Sequence, residues 1–159
     1  MKQESTPRGS APQEAAPQSS APQSSAPQEA ASGWVIQGAQ VAGIADFYAE
    51  LNRLLMQDED WEVGPSLDAL NDLLYGGIGA LVNVERPRFV WRDHAASRAA
   101  LGVPATEEWL LSKLTSPAGF DQQGIRVQLA ALRAGEGPSY FDLILEVFAE
   151  HPEVELVLE

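Results

Sequence analysis

Residues 64–77, Gly-Pro-Ser-Leu-Asp-Ala-Leu-Asn-Asp-Leu-Leu-Tyr-Gly-Gly, predict one short helix with both ends clearly marked. Ser66 is a favourable N-cap, and Gly76 or Gly77 can adopt the left-handed conformation that often ends a helix. The apolar residues repeat at helical spacing, which indicates one buried face. That face consists of Leu67, Leu70, Leu73 and Leu74.

Two carboxylates, Asp68 and Asp72, lie four residues apart on this helix and therefore share a face. A like-charge pair at this spacing destabilises an isolated helix by a few tenths of a kcal/mol, that is, about 0.2–0.5. The helix dipole stabilises Asp68, whereas Asp72 lies beyond the first turn. Because helix stability does not favour the pair, the two carboxylates invite the question of which cation they meet.

Three roles are open for this pair: catalytic or metal-binding carboxylates, a solvated face, and a protein-binding face. Side chains on one short helix do not flank a substrate from two sides, as glycoside hydrolysis requires. A divalent cation would need further oxygen ligands, which Glu62 or Glu150 could supply only by folding nearby. A solvated acidic face remains an alternative, and we favour a protein-binding face.

Composition favours a basic protein as the partner. The chain has 159 residues, a formal net charge of −13 and no cysteine. Residues 34–159 hold 20 acidic and 8 basic side chains, which argues against nucleic acid or an anionic membrane as a direct partner. The absence of cysteine excludes disulfides and thiolate sites. The polar start of the chain has no signal-like apolar run, so we expect a cytoplasmic protein.

Residues 1–33 differ in composition from the rest of the chain. Ala-Pro-Gln recurs there at 11–13, 16–18, 21–23 and 26–28. Each proline opposes a helix, and the segment has little apolar surface to bury. We predict a disordered linker rich in Ala, Pro, Gln and Ser; a proline-groove ligand is the alternative, although PxxP spacing is missing.

Strand and helix patterns alternate along the remaining chain. Strands are predicted at 34–38, 88–91 and 154–158, and helices at 44–56, 67–75, 94–101, 106–114 and 139–150. Residues 124–132 fit either a helix or a strand. Strands separated by helices predict an α/β fold, with a small three-stranded parallel sheet packed with helices.

The residues give little support for catalysis. His94 and His151 lie far apart, and neither belongs to a motif with metal-ligand spacing. His151 is expected near a helix C-terminus, where it would favour the dipole. The glycines at 76, 77 and 79 follow a helix, whereas a phosphate-binding loop precedes one. We therefore predict a protein that is not an enzyme and that has no cofactor and no metal site.

Several segments together resemble the barstar family of intracellular ribonuclease inhibitors. The resemblance covers residues 34–91 and 138–159 and implies a barstar-like domain over 34–159, with an insertion of one or two extra helices at about 92–137. The matching motifs are Asp46-Phe47-Tyr48-x-x-Leu51, Gly64-x-x-Leu67-Asp68-Ala69-Leu70-x-Asp72-x-Leu74, Leu145-x-Val147-Phe148-x-Glu150 and Val154-x-Leu156-Val157-Leu158.

In that family, the helix and the loop before it block the active site of a basic secreted or toxin ribonuclease such as barnase. The resemblance implies that Asp68 and Asp72 meet the partner's cationic groups. Gly76 matches the glycine after the helix, and Glu150 matches an acidic residue of the last helix.

The chain also departs from the family pattern. Glu62, Asn71 and Gly77 stand where the type member has aromatic contacts. Trp61 could replace one of these contacts if the loop shifts by a residue, and a Trp61 packed in the core is the alternative.

These observations predict a monomeric immunity protein that inhibits a cognate ribonuclease. Two alternatives stay open. One is an immunity protein against a toxin of another kind, and the other is a non-catalytic adaptor on a flexible tether.

Overall fold

The computed structural model describes residues 33–159. The predicted disordered linker lies outside the described residues except at its last position. Gly33 belongs to the first strand, so the predicted boundary at residue 33 was one residue too late.

The described chain is an α/β domain with a three-stranded parallel sheet, as predicted. The strands lie in the order β1-β2-β3, and Val90 of the central strand is in register with Val35 and Val157. The elements are β1 (Gly33–Gln37), α1 (Ile44–Leu55), α2 (Leu67–Leu74), β2 (Arg88–Arg92), α3 (His94–Ala100), α4 (Val103–Leu114), α5 (Gln122–Arg133), α6 (Tyr140–Ala149) and β3 (Glu155–Leu158), with 3₁₀ turns at Gly38–Gln40 and Gly79–Leu81.

Arg92 ends β2, and residues 93–137 contain three helices, α3 to α5, so the prediction of one or two extra helices in this segment was wrong. The segment whose pattern fitted either a helix or a strand is therefore a helix. Helix α4 begins three residues earlier than predicted, because Pro104 lies in its first turn, where a missing N–H is tolerated. The α4–α5 pair has a small apolar cluster of its own, formed by Leu110, Ile125, Leu129 and Leu132.

The main core surrounds Trp91 of the central strand. The Phe47 ring stacks on Trp91 with 5.2 Å between ring centroids, and Phe141 lies 5.0 Å away on another side. The indole Nε1 donates to Ser97 Oγ at 2.9 Å, and Ser97 in turn donates to the carbonyl of Gly38 at 3.0 Å. The polar atoms in this core are thus satisfied, as burial requires.

A second buried polar pair joins α1 to α6. The hydroxyls of Tyr48 and Tyr140 lie 2.8 Å apart. Burial raises the pKa of both phenols above its ordinary value, because a charged phenolate is disfavoured in the interior.

Gly38 permits a close approach between the end of β1 and the end of β2. A Cβ at this position would overlap with the carbonyl oxygens of Arg92 and Asp93. By contrast, a Cβ at Gly43 would meet nothing within 4 Å.

We expect Gly38→Ala to lower the free energy of unfolding by about 1–3 kcal/mol, because the added methyl group must displace backbone. The matched control Gly43→Ala should change it little, since Gly43 has an extended backbone with a φ of −173°. Urea denaturation of both variants measures the difference. Equal stabilities would contradict the role of Gly38.

Glu50 fastens α1 to the end of β1. It is buried, its Oε1 accepts from the Gln37 N–H at 2.8 Å, and both of its oxygens accept from the Arg53 guanidinium at 2.8 Å. The Arg53 hydrogen bonds, helped by the Gln37 N–H, hold the pKa of Glu50 below its ordinary value of 4.5 against the opposing effect of burial.

A lowered carboxyl pKa stabilises the fold above the unfolded-state pKa, and this contribution is lost as the pH falls toward the folded-state pKa. We expect Arg53→Gln to lower the free energy of unfolding most near pH 7 and to flatten its fall toward pH 3, because the Glu50 carboxylate then loses the hydrogen bonds that lower its pKa. Arg126→Gln, at an exposed arginine of α5, is the control. The urea midpoints of both variants are measured between about pH 7 and pH 3. If the two variants follow the same pH profile, the Glu50–Arg53 pair does not contribute to the pH dependence of stability.

Candidate protein-binding face

Helix α2 forms as its sequence predicts. Ser66 Oγ accepts a hydrogen bond from the Ala69 N–H at 3.0 Å, and Gly76 and Gly77 both have positive φ, at 86° and 79°. Leu70, Leu73 and Leu74 are buried, and Leu67 is half-buried. Because one side of the helix packs into the core, the opposite side faces solvent.

The exposed side of α2 carries a line of three side chains. Asp68, Asp72 and Tyr75 follow one another at spacings of four and three residues, and all three are exposed. Residues at these spacings are neighbours on a helix surface. The structure therefore brings the two predicted aspartates together and adds a tyrosine that is 73% exposed.

Tyr75 was not predicted on this face, because it lies at the predicted end of the helix, just after the last leucine of the buried stripe. Its position seven residues after Asp68 could have placed it on the acidic face. An exposed aromatic ring beside carboxylates is a common component of protein-binding surfaces, where tyrosine is enriched among the residues that dominate affinity.

A buried histidine anchors this end of α2. His151 is only 3% exposed and lies just beyond α6. Its Nε2 donates to Asn71 Oδ1 at 2.8 Å, and its Nδ1 lies 3.5 Å from Oε1 of Glu153. Its ring packs edge-on against that of Tyr75, with 4.7 Å between the ring centroids. His151 thus fixes both the helix and the orientation of the exposed tyrosine.

Asn71 is half-buried, and its side-chain oxygen is engaged by His151. Glu150, which was predicted to join the face from the last helix, is the exposed C-cap residue of α6 and directly precedes His151. Glu150 is therefore one residue from the contact between His151 and Asn71.

The loop before α2 is held by a side-chain clamp. Asn52 donates to the Val63 carbonyl at 3.0 Å and accepts from the Val63 N–H at 2.7 Å. Trp61 and Glu62 just before it are exposed and line a groove of about 690 Å³ along the C-terminal end of α1. Trp61 is 48% exposed, so the alternative of a core-packed tryptophan is wrong.

An unexpected cation lies beside the first aspartate. Lys113 of α4 and Asp68 line the same cleft of about 420 Å³. Burial lowers the pKa of the Lys113 ammonium, and the negative charge of Asp68 opposes this shift. The sequence did not reveal this neighbour, because it comes from the segment predicted as an insertion and lies 45 positions further along the chain.

The other polar candidates lie elsewhere. His94 Nδ1 hydrogen-bonds with the backbone carbonyl of Glu159 at 2.8 Å, at the far end of the sheet, and does not pair with Asp68 or Asp72. Within residues 33–159, His, Asp and Glu side chains form no group of three or more that could hold a metal ion. No helix in this range is long and apolar enough to cross a membrane.

We expect Asn71→Ala to lower the free energy of unfolding by about 1–3 kcal/mol, because buried His151 loses its hydrogen-bond partner. Asp72→Ala, one position along the same helix, should stay within about 0.5 kcal/mol of the parent because its side chain is exposed. Chemical denaturation of both variants tests the contrast. If Asn71→Ala is as stable as Asp72→Ala, the His151–Asn71 bond does not anchor the helix.

A scan against protein-family models and a search of the curated proteins found no match to this chain.

Proposed function

We propose that this protein is an inhibitor of a basic ribonuclease and that it binds the enzyme through the exposed face of α2, in the manner of the barstar family. The observation that carries the proposal is the presentation of Asp68 and Asp72 to solvent, one turn apart, on a helix whose opposite side is buried. The parallel α/β fold is the one that the family resemblance implied.

Charge supports a cationic partner. Residues 34–159 hold 20 acidic and 8 basic side chains, and the ion pairs within the described part of the chain do not include Asp68 or Asp72. Carboxylates without internal partners can make charge-assisted hydrogen bonds to arginine and lysine and can steer association. A ribonuclease active site must bind RNA phosphates and therefore offers such cations.

The two aspartates differ in their surroundings. Asp68 shares its cleft with Lys113. Asp72 lies one turn further along α2, at the end where His151 contacts Asn71 and Tyr75. Lys113 partly offsets the negative potential at Asp68. The Asp72 end of the face is therefore expected to contribute more binding free energy.

The test is inhibition of RNA cleavage by a small basic ribonuclease of the barnase type, titrated with the full chain. We expect loss of activity at a one-to-one ratio, with Asp72→Ala weakening binding by about 30-fold or more, as for a residue that dominates an interface. Most of this loss should be in the dissociation rate.

Glu136→Ala is the matched control, since Glu136 is an exposed acid in the loop after α5. Equal affinities of the Asp72 and Glu136 variants would refute the assignment of the face. If the ribonuclease stays fully active, the proposal for this enzyme class is wrong. Specific capture of a basic toxin without ribonuclease activity would then favour the second kind of immunity protein, and capture of a neutral partner would favour an adaptor.

A further inference from the structure

A third cavity adjoins the cleft of Asp68 and lies at the junction of the two apolar clusters. The main core and the α4–α5 cluster meet at Trp109, which packs against both. The junction forms a partly open cavity of about 470 Å³, within the range of roughly 300–1,000 Å³ that is usual for small-molecule sites. Its apolar walls come from Leu67, Trp109, Leu110, Val127, Ala131 and Leu143.

The cavity has a positive edge. The Lys113 ammonium lies 4.0 Å from the centroid of the Trp109 ring and 5.2 Å from that of Phe120. Among the described residues, its Nζ has no carboxylate oxygen within 4.0 Å. Partial burial of an ammonium without a close counter-ion is unfavourable, so a bound anion would be stabilised there.

Lys113 is the charged side chain in the lining of this cavity, and the Thr106 hydroxyl is occupied by the Gly102 carbonyl and the Tyr140 N–H. Besides Lys113, Thr106 and Gln128 contribute polar side chains to the lining, and no aspartate or glutamate lines it, although the chain has 23 acidic residues. Asp68 lines the neighbouring cleft, and Lys113 lines both cavities. The cavity therefore combines an apolar interior with one cation at its edge.

We propose that this cavity binds a small amphipathic carboxylate, with its apolar body between α4 and α5 and its carboxylate paired with Lys113. This proposal does not rest on the proposed ribonuclease inhibition, since the cavity lies on the α4–α5 side of Leu67 and not on the exposed stripe of α2.

The chain contains two lysines, Lys2 and Lys113, which makes the test specific. The full chain is labelled with ¹³C at lysine Cε and titrated with octanoate, with octan-1-ol as the uncharged probe of equal length. We expect octanoate to shift the Lys113 signal saturably and to raise the pKa of its amine, while Lys2 does not change. Octan-1-ol should not raise the pKa of Lys113, because it brings no negative charge.

Two variants give independent tests by calorimetry. Lys113→Met should weaken octanoate binding by about tenfold or more, the loss expected for one charge-assisted hydrogen bond. Val127→Asp should weaken it similarly, because the new carboxylate on the cavity wall repels that of octanoate. Val127 is 60% exposed, so the substitution should not disturb the core. Ala130→Asp adds the same charge at an exposed position of α5 outside the lining and should bind like the parent.

The proposal is overturned if Lys113→Met binds octanoate as tightly as the parent, or if the Lys113 signal moves without saturating. It is also overturned if Ala130→Asp weakens binding as much as Val127→Asp, since net charge alone would then explain the effect. Failure of ribonuclease inhibition leaves each of these measurements unaffected.

Discussion

Burial of the leucine stripe of α2 determines which side chains this protein presents to solvent. An isolated helix of eight residues is not stable in water, because nucleation costs more than so few backbone hydrogen bonds return. Packing of Leu70, Leu73 and Leu74 into the core therefore holds the helix in place. Since rotation about its axis would expose these leucines, the same packing fixes the orientation of Asp68 and Asp72.

The rest of the fold restrains this helix at both ends. Asn52 of α1 clamps the backbone of Val63 before it, and His151, between α6 and β3, holds Asn71 and packs against Tyr75. A face that is rigid before binding loses less conformational entropy when the partner arrives. The arrangement thus suits recognition by fixed carboxylates better than recognition by a mobile loop.

Local patterns were sufficient to predict most of the elements. The leucine spacing, the Ser66 cap and the two glycines located α2, and alternating strands and helices indicated the parallel sheet. The pattern of residues 124–132 was ambiguous because a short apolar run fits both periods, and packing against α4 selects the helix. The contacts of Asn71, Tyr75 and Lys113 could not be predicted, since each depends on residues far away in the chain.

The position of Lys113 connects the two surfaces physically. Its ammonium reduces the negative potential near Asp68 and also forms the positive edge of the apolar cavity. An anion paired with Lys113 would cancel that positive charge and leave the field of Asp68 less compensated. A cationic partner on the α2 face would then bind more tightly, and by linkage the anion would bind more tightly to the complex. The size of this coupling depends on how strongly solvent screens the attraction between Lys113 and Asp68, whose charged groups lie further apart than those of an ion pair.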